Sequence, residues 1–172
     1  DLYAHGFFLD AALGSRGFVR GAGAVSKGGP MLVIGGGYEL TRWLWLRLSM
    51  EASMHETDAP APPSRAVFEV LGVVAGARLQ LDLSARAALF AGGELGLVFV
   101  TDDVLQSYGV ERADEVGVAF GGELGFDWHF RNQHHSVGLL GGARLYPSLE
   151  GFDEALPVGI HGLAYLRYVF GS

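Results

Sequence analysis

Twelve consecutive residues, Leu44 to His55, alternate without a break between two sets of side chains. Leu44, Leu46, Leu48, Met50, Ala52 and Met54 form a wholly apolar set, and Trp45, Arg47, Ser49, Glu51, Ser53 and His55 form a mainly polar one. A period of two sends successive side chains to opposite faces of a β-strand, so the segment divides two different surroundings and is not an amphipathic helix. Comparable alternation recurs along the chain. It predicts eight strands at roughly 3–13, 31–40, 44–55, 67–80, 86–99, 118–130, 136–146 and 158–170.

The connections alternate as well. Longer ones fall around 14–30, 56–65, 101–115 and 147–157, and short ones around 41–43, 82–84 and 131–134. The first long connection is read as glycine-rich with its tip at 26–29 and Pro30 closing it. The second holds three of the six prolines and cannot be a central strand.

Hydrophobic residues make up 49% of the chain and charged residues 18%, fewer charges than the roughly one quarter usual in a soluble domain. Yet no run approaches the ~18 apolar residues that a spanning helix needs. A barrel reconciles these facts, because its lipid-facing surface is spread over alternate residues. The net charge of −7 argues against a nucleic-acid partner, and the absence of cysteine removes disulfides and thiolate metal sites. Lysine occurs once, at Lys27, too seldom for a soluble barrel's outer face. The chain opens at Asp1, the start expected of a processed protein, and residues 171–172 are read as a non-native tail behind a single domain of residues 1–170.

The final strand is the most specific stretch. Phe170, Tyr168, Leu166, Ala164 and Gly162 share one face, and Val169, Arg167, Tyr165, Leu163 and His161 the other. It resembles the terminal strand of bacterial outer-membrane β-barrels, and the whole pattern resembles the small barrels of the OmpA/OmpX kind. The resemblance implies an all-β, eight-stranded antiparallel up-and-down transmembrane barrel with short periplasmic turns and longer extracellular loops. It also implies outer-membrane lipid and lipopolysaccharide as surroundings, insertion by the barrel-assembly machinery through the C-terminal strand, and other envelope proteins as partners. A structural or interaction role is the leading expectation. The alternatives are a narrow channel, a lipid A-modifying enzyme, and a soluble lipocalin-like calyx. The calyx is disfavoured because the polar face is rich in glycine, which makes room inside a narrow barrel but adds nothing to a water-facing surface.

Three constellations could carry chemistry. The predicted lumen places Glu39, Arg47, Arg78, Asp127 and Arg167 in a layer near the short turns, and Glu51, Glu94, Glu123 and Arg144 in a middle layer. Buried charges must be paired, which points to an ion-pair core; the alternative is a water and ion path. Three acids against one arginine in the middle layer would favour a cation or leave one carboxyl protonated. Glu51, Ser53 and His55 share a face and have the parts of a nucleophilic triad, but their i, i+2 spacing of ~6–7 Å is too wide for its hydrogen bonds, so no catalytic residue is assigned. The acidic loops could hold Ca²⁺ and His134–His135 an adventitious metal, but no EF-hand-like spacing is present and a solvated surface is the expectation for both, so no cofactor or metal site is assigned. Trp43, Trp45, Trp128, Phe130, Tyr168 and Phe170 lie beside the short turns and are read as an interfacial aromatic girdle. A repeated Gly-Gly-Glu-Leu-Gly, at 92–96 and 121–125, is read as two neighbouring strands meeting one spatial demand.

Overall fold

The computed structural model describes residues 6–57, 66–101, 103–113, 115–132, 134–150 and 156–170. Residues 3–5 of the first expected strand, most of the proline-rich connection, and 171–172 lie outside these. Eight antiparallel strands follow one another round a closed barrel: β1 (Phe7–Val19), β2 (Gly29–Thr41), β3 (Leu44–Glu56), β4 (Val67–Asp82), β5 (Ala87–Val100), β6 (Gly117–His129), β7 (His135–Leu145) and β8 (Val158–Phe170). Closure comes from β1 and β8, paired from Phe7 opposite Phe170 to Val19 opposite Val158. Among the described residues no strand edge is left to template association.

The alternation decides inside from outside. Leu46, Leu48 and Met50 of β3 point outward, and so do Leu95, Leu97 and Phe99 of β5 and Ile160, Leu166 and Phe170 of β8. The charged partners of each row are buried. A continuous apolar exterior of this extent does not stand in water. It rules out the calyx, whose apolar face would be internal. The strands run from 11 to 16 residues, more than the roughly 9–11 a tilted strand needs to cross a bilayer's hydrocarbon.

The short turns are closed by local side chains. Thr41 Oγ1 accepts the Leu44 amide at 3.0 Å, Ser84 Oγ the Ala87 amide at 3.1 Å, and Asn132 Oδ1 the His135 amide at 3.2 Å. Each hydroxyl or amide oxygen gives the backbone a partner where the ladder stops.

One boundary departs from expectation. β1 continues to Val19, through residues read as the start of a glycine-rich connection. Gly14 belongs to the ladder rather than a turn, since a Cβ there would fall 1.9 Å from the Gly162 carbonyl oxygen. The strand ends only where Arg20 and Gly21 turn to positive φ, 66° and 50°. This extra length carries Arg16 and Phe18 into the interior.

The long connections fold inward more than their polar composition suggested. Three short 3-10 turns, Gly21–Ala24, Asp103–Tyr108 and Pro147–Leu149, bring Ala22, Leu105 and Leu149 over the mouth. There they pack with Val110, Ala113, Phe18, Phe68 and Tyr146 in an apolar cluster. Glu111 and Glu115 keep outside it: both are exposed, and Glu115 pairs with Arg112 at 3.0 Å. Asp102, Asp114, Asp153 and Glu154 lie outside the described residues.

Candidate functional site: the barrel lumen

All nine charged residues assigned to the lumen from the sequence, Glu39, Arg47, Glu51, Arg78, Glu94, Glu123, Asp127, Arg144 and Arg167, are buried. Asp10 and Arg16 of β1 join them. Large inward side chains are seated on inward glycines of the neighbouring strand. Phe8 lies opposite Gly37, Phe90 opposite Gly125, and Tyr165 opposite Gly138. A Cβ on Gly37, Gly125 or Gly138 would enter the facing ring at 2.5, 2.2 and 2.4 Å respectively. The glycines are therefore the complement of the large residues in a barrel with little internal space.

The charges fall into three groups. Nearest the short turns, Arg167 donates to Asp127 Oδ2 at 3.2 Å, and Tyr165 donates to the other Asp127 oxygen. The Arg167 guanidinium also lies 4.2 Å from the Trp45 ring centroid and 5.1 Å from Phe8. Its Nε and Nη2 have no hydrogen-bond partner, and these π faces take their place. Asp10 and Glu39 add negative charge near it. In the second group Arg47 clasps Asp10 with two bonds, Nε to Oδ2 at 2.8 Å and Nη2 to Oδ1 at 2.6 Å, the planar fork that arginine makes best.

The third group crosses the barrel. Arg144 donates Nε to Glu94 Oε2 and Nη1 to Glu51 Oε2, both at 2.6 Å. Arg16 donates to the other Glu51 oxygen, and Arg78 to Glu123 Oε1. The division into a lower layer and an acid-rich middle layer therefore does not hold. Strand shear brings Arg78 up to Glu123, and the lengthened β1 supplies Arg16, so the middle acids face three guanidiniums rather than one.

No protein-family model matches the sequence, and no curated protein is detectably similar to it. Solved structures are similar over nearly the whole chain. Neisserial surface protein A superposes with a TM-score of 0.67 at 14% identity, covering 97% of this chain and 99% of that one. The outer membrane protein OprG from Pseudomonas aeruginosa gives 0.58 at 13% identity, covering 99% and 98%. The fold is that of a small outer-membrane β-barrel.

Within this barrel the aromatic belt needs one correction. Trp43, Trp128, Phe130, Tyr168 and Phe170 are on the outer surface, but Trp45 is only 3% exposed and packs inside against Phe8 and Arg167. Its parity along β3 is that of Arg47, and parity outranks closeness to a turn. Single-tryptophan variants test this. Fluorescence of Trp43 and Trp128 is expected to be quenched by brominated lipids and that of Trp45 to be largely spared; equal quenching of all three would contradict the inward placement.

Ser53 and His55 are closer than their spacing suggested. His55 Nδ1 donates to the Lys27 carbonyl at 3.1 Å, which leaves Nε2 to accept from Ser53 Oγ at 2.9 Å. Strand twist and side-chain rotation close a gap that the backbone repeat leaves open. Glu51 is not the third member, because both its oxygens are held by Arg16 and Arg144. The pair is buried, with the imidazole between Phe18 and Phe68 at ring distances of 5.1 and 5.3 Å, so an acyl chain cannot reach the hydroxyl in this conformation. His134 and His135 do not form a joint site: the His134 ring donates to the Val169 carbonyl at 2.9 Å, and His135 bonds Asn132 at 2.6 Å.

Proposed function

We propose that the chain is an integral barrel of the bacterial outer membrane with a structural or interaction role, not a pore. The observation that carries this reading is the filling of the lumen. Guanidinium–carboxylate pairs cross its middle, Phe8, Trp45 and Val169 pack at the short-turn end, and the 12-residue apolar cluster caps the other. Among the described residues that cap is apolar and offers water and ions no polar path. The apolar exterior takes lipid and lipopolysaccharide as its surroundings, and the terminal strand with Tyr168 and Phe170 is the element that the barrel-assembly machinery would engage. With this orientation the three short turns are periplasmic, and the loops over the apolar cap present the surface for other envelope proteins.

Four measurements test the proposal. The folded chain is expected to migrate faster than the heat-denatured one in detergent gels and to require detergent to stay monodisperse. In planar bilayers it is expected to show no discrete openings. Steady single-channel steps altered by substitution of Arg144 would replace this reading with the narrow channel. Lipid A of unchanged mass after co-expression is expected as well, since the buried Ser53–His55 pair cannot reach acyl chains.

A further inference from the structure

The ion pairs across the middle of the lumen alternate in sign from Arg16 through Glu51 and Arg144 to Glu94, and again from Glu123 to Arg78. Between the two runs the order fails, because carboxylate oxygens of Glu94 and Glu123 lie within 4.8 Å of each other. Two carboxylates side by side in a buried site repel unless something positive lies between them. The repeated pentapeptide produces this meeting. The two copies pair antiparallel about Gly93 opposite Gly122, with Gly92 facing Glu123 and Glu94 facing Gly121, so their glutamates come together on the inner face.

A third group points to what belongs there. His161 on β8 is 3% exposed, and neither of its ring nitrogens has a hydrogen-bond partner. An imidazole left this way inside a packed barrel forfeits two bonds, which native interiors rarely tolerate. Its nitrogen and one oxygen from each of Glu94 and Glu123 lie within 4.8 Å of one another. The site is cleared by Gly142, which stands between Glu123 on β6 and His161 on β8 in the register; a Cβ there would be 2.7 Å from the imidazole. Arg144 and Arg78 each hold one oxygen of a glutamate, leaving the other carboxylate oxygen to bind and fixing its direction.

We propose that Glu94, Glu123 and His161 form a binding site for a divalent first-row transition metal ion inside the barrel. One imidazole and two carboxylates suit zinc, manganese or ferrous iron and not the all-oxygen preference of calcium or magnesium. An ion about 2.1 Å from each ligand needs the three atoms drawn together by roughly 1 Å, a movement that glutamate rotamers supply. The ion cross-links β5, β6 and β8, and it neutralises the junction between Glu94 and Glu123.

The test uses the full chain with His5, His134 and His135 changed to glutamine, refolded from urea into detergent with cobalt(II) and then passed through a desalting column. One retained equivalent with visible d–d absorption is expected. His161→Gln and Glu94→Gln, each checked for heat-modifiable migration, should lower retention at least tenfold. X-ray absorption of the zinc-loaded parent, which needs no lumen substitution, should show one imidazole nitrogen among oxygen ligands. No retained metal in the parent, retention unchanged in a folded His161→Gln, or a zinc shell without imidazole would each overturn the proposal.

Discussion

Arg144→Met should be the most damaging single substitution in the lumen, lowering the free energy of unfolding by about 3–5 kcal/mol. Arg144 joins two carboxylates, and its removal leaves Glu94 without its guanidinium and Glu51 with only Arg16. The cost lies mainly in the stranded charges, not in the lost attraction. Methionine keeps much of the volume, so a cavity contributes little. Removing the stranded charges as well, in Arg144→Met with Glu51→Gln and Glu94→Gln, should therefore recover a large part of the loss. Urea titrations in lipid vesicles, followed by tryptophan fluorescence and gel mobility, measure both. A single variant as stable as the parent would show that the charges are solvated and that the core is not held by pairing.

Gly125→Val is expected to follow it, at about 3 kcal/mol or somewhat more, the upper range for overpacking. The new Cβ would lie 2.2 Å from Phe90 Cζ and 2.6 Å from the Leu139 carbonyl oxygen. The two obstacles separate in a double mutant. Phe90→Ala removes the ring but not the carbonyl, so in its background the penalty of Gly125→Val should shrink without vanishing. Full additivity would mean that the ring and the glycine are not partners.

Much of this architecture is legible in the order of residues. Parity alone sorts Leu46 from Arg47 and Leu95 from Glu94, and it is strict because a strand reverses direction at every residue. Turn spacing supplies the count of eight. The errors arise where two local signals compete. Glycines after Leu13 read as a loop, yet the chain continues as strand because β8 approaches Gly14 too closely for any side chain. Without that extension Arg16 could not be recognised as a lumen residue. Trp45 illustrates the converse: its place beside a turn suggested a belt, while its parity, visible in the same segment, put it inside.

The pairing within the lumen is a different matter. Glu51 meets Arg16, 35 positions away, and Arg144, 93 positions away, and neither separation leaves a trace in local pattern. Shear, strand tilt and side-chain length decide such meetings together. The Ser53–His55 bond also depends on torsions that spacing does not report. The alternation between 44 and 55 did by itself determine that the segment is a strand dividing two unlike surroundings. Only the tertiary structure decided which charges neutralise one another, that loop side chains shut the mouth, and that Glu94, Glu123 and His161 meet. The first follows from a repeat of two residues, whereas the second depends on how eight such repeats are staggered around one axis.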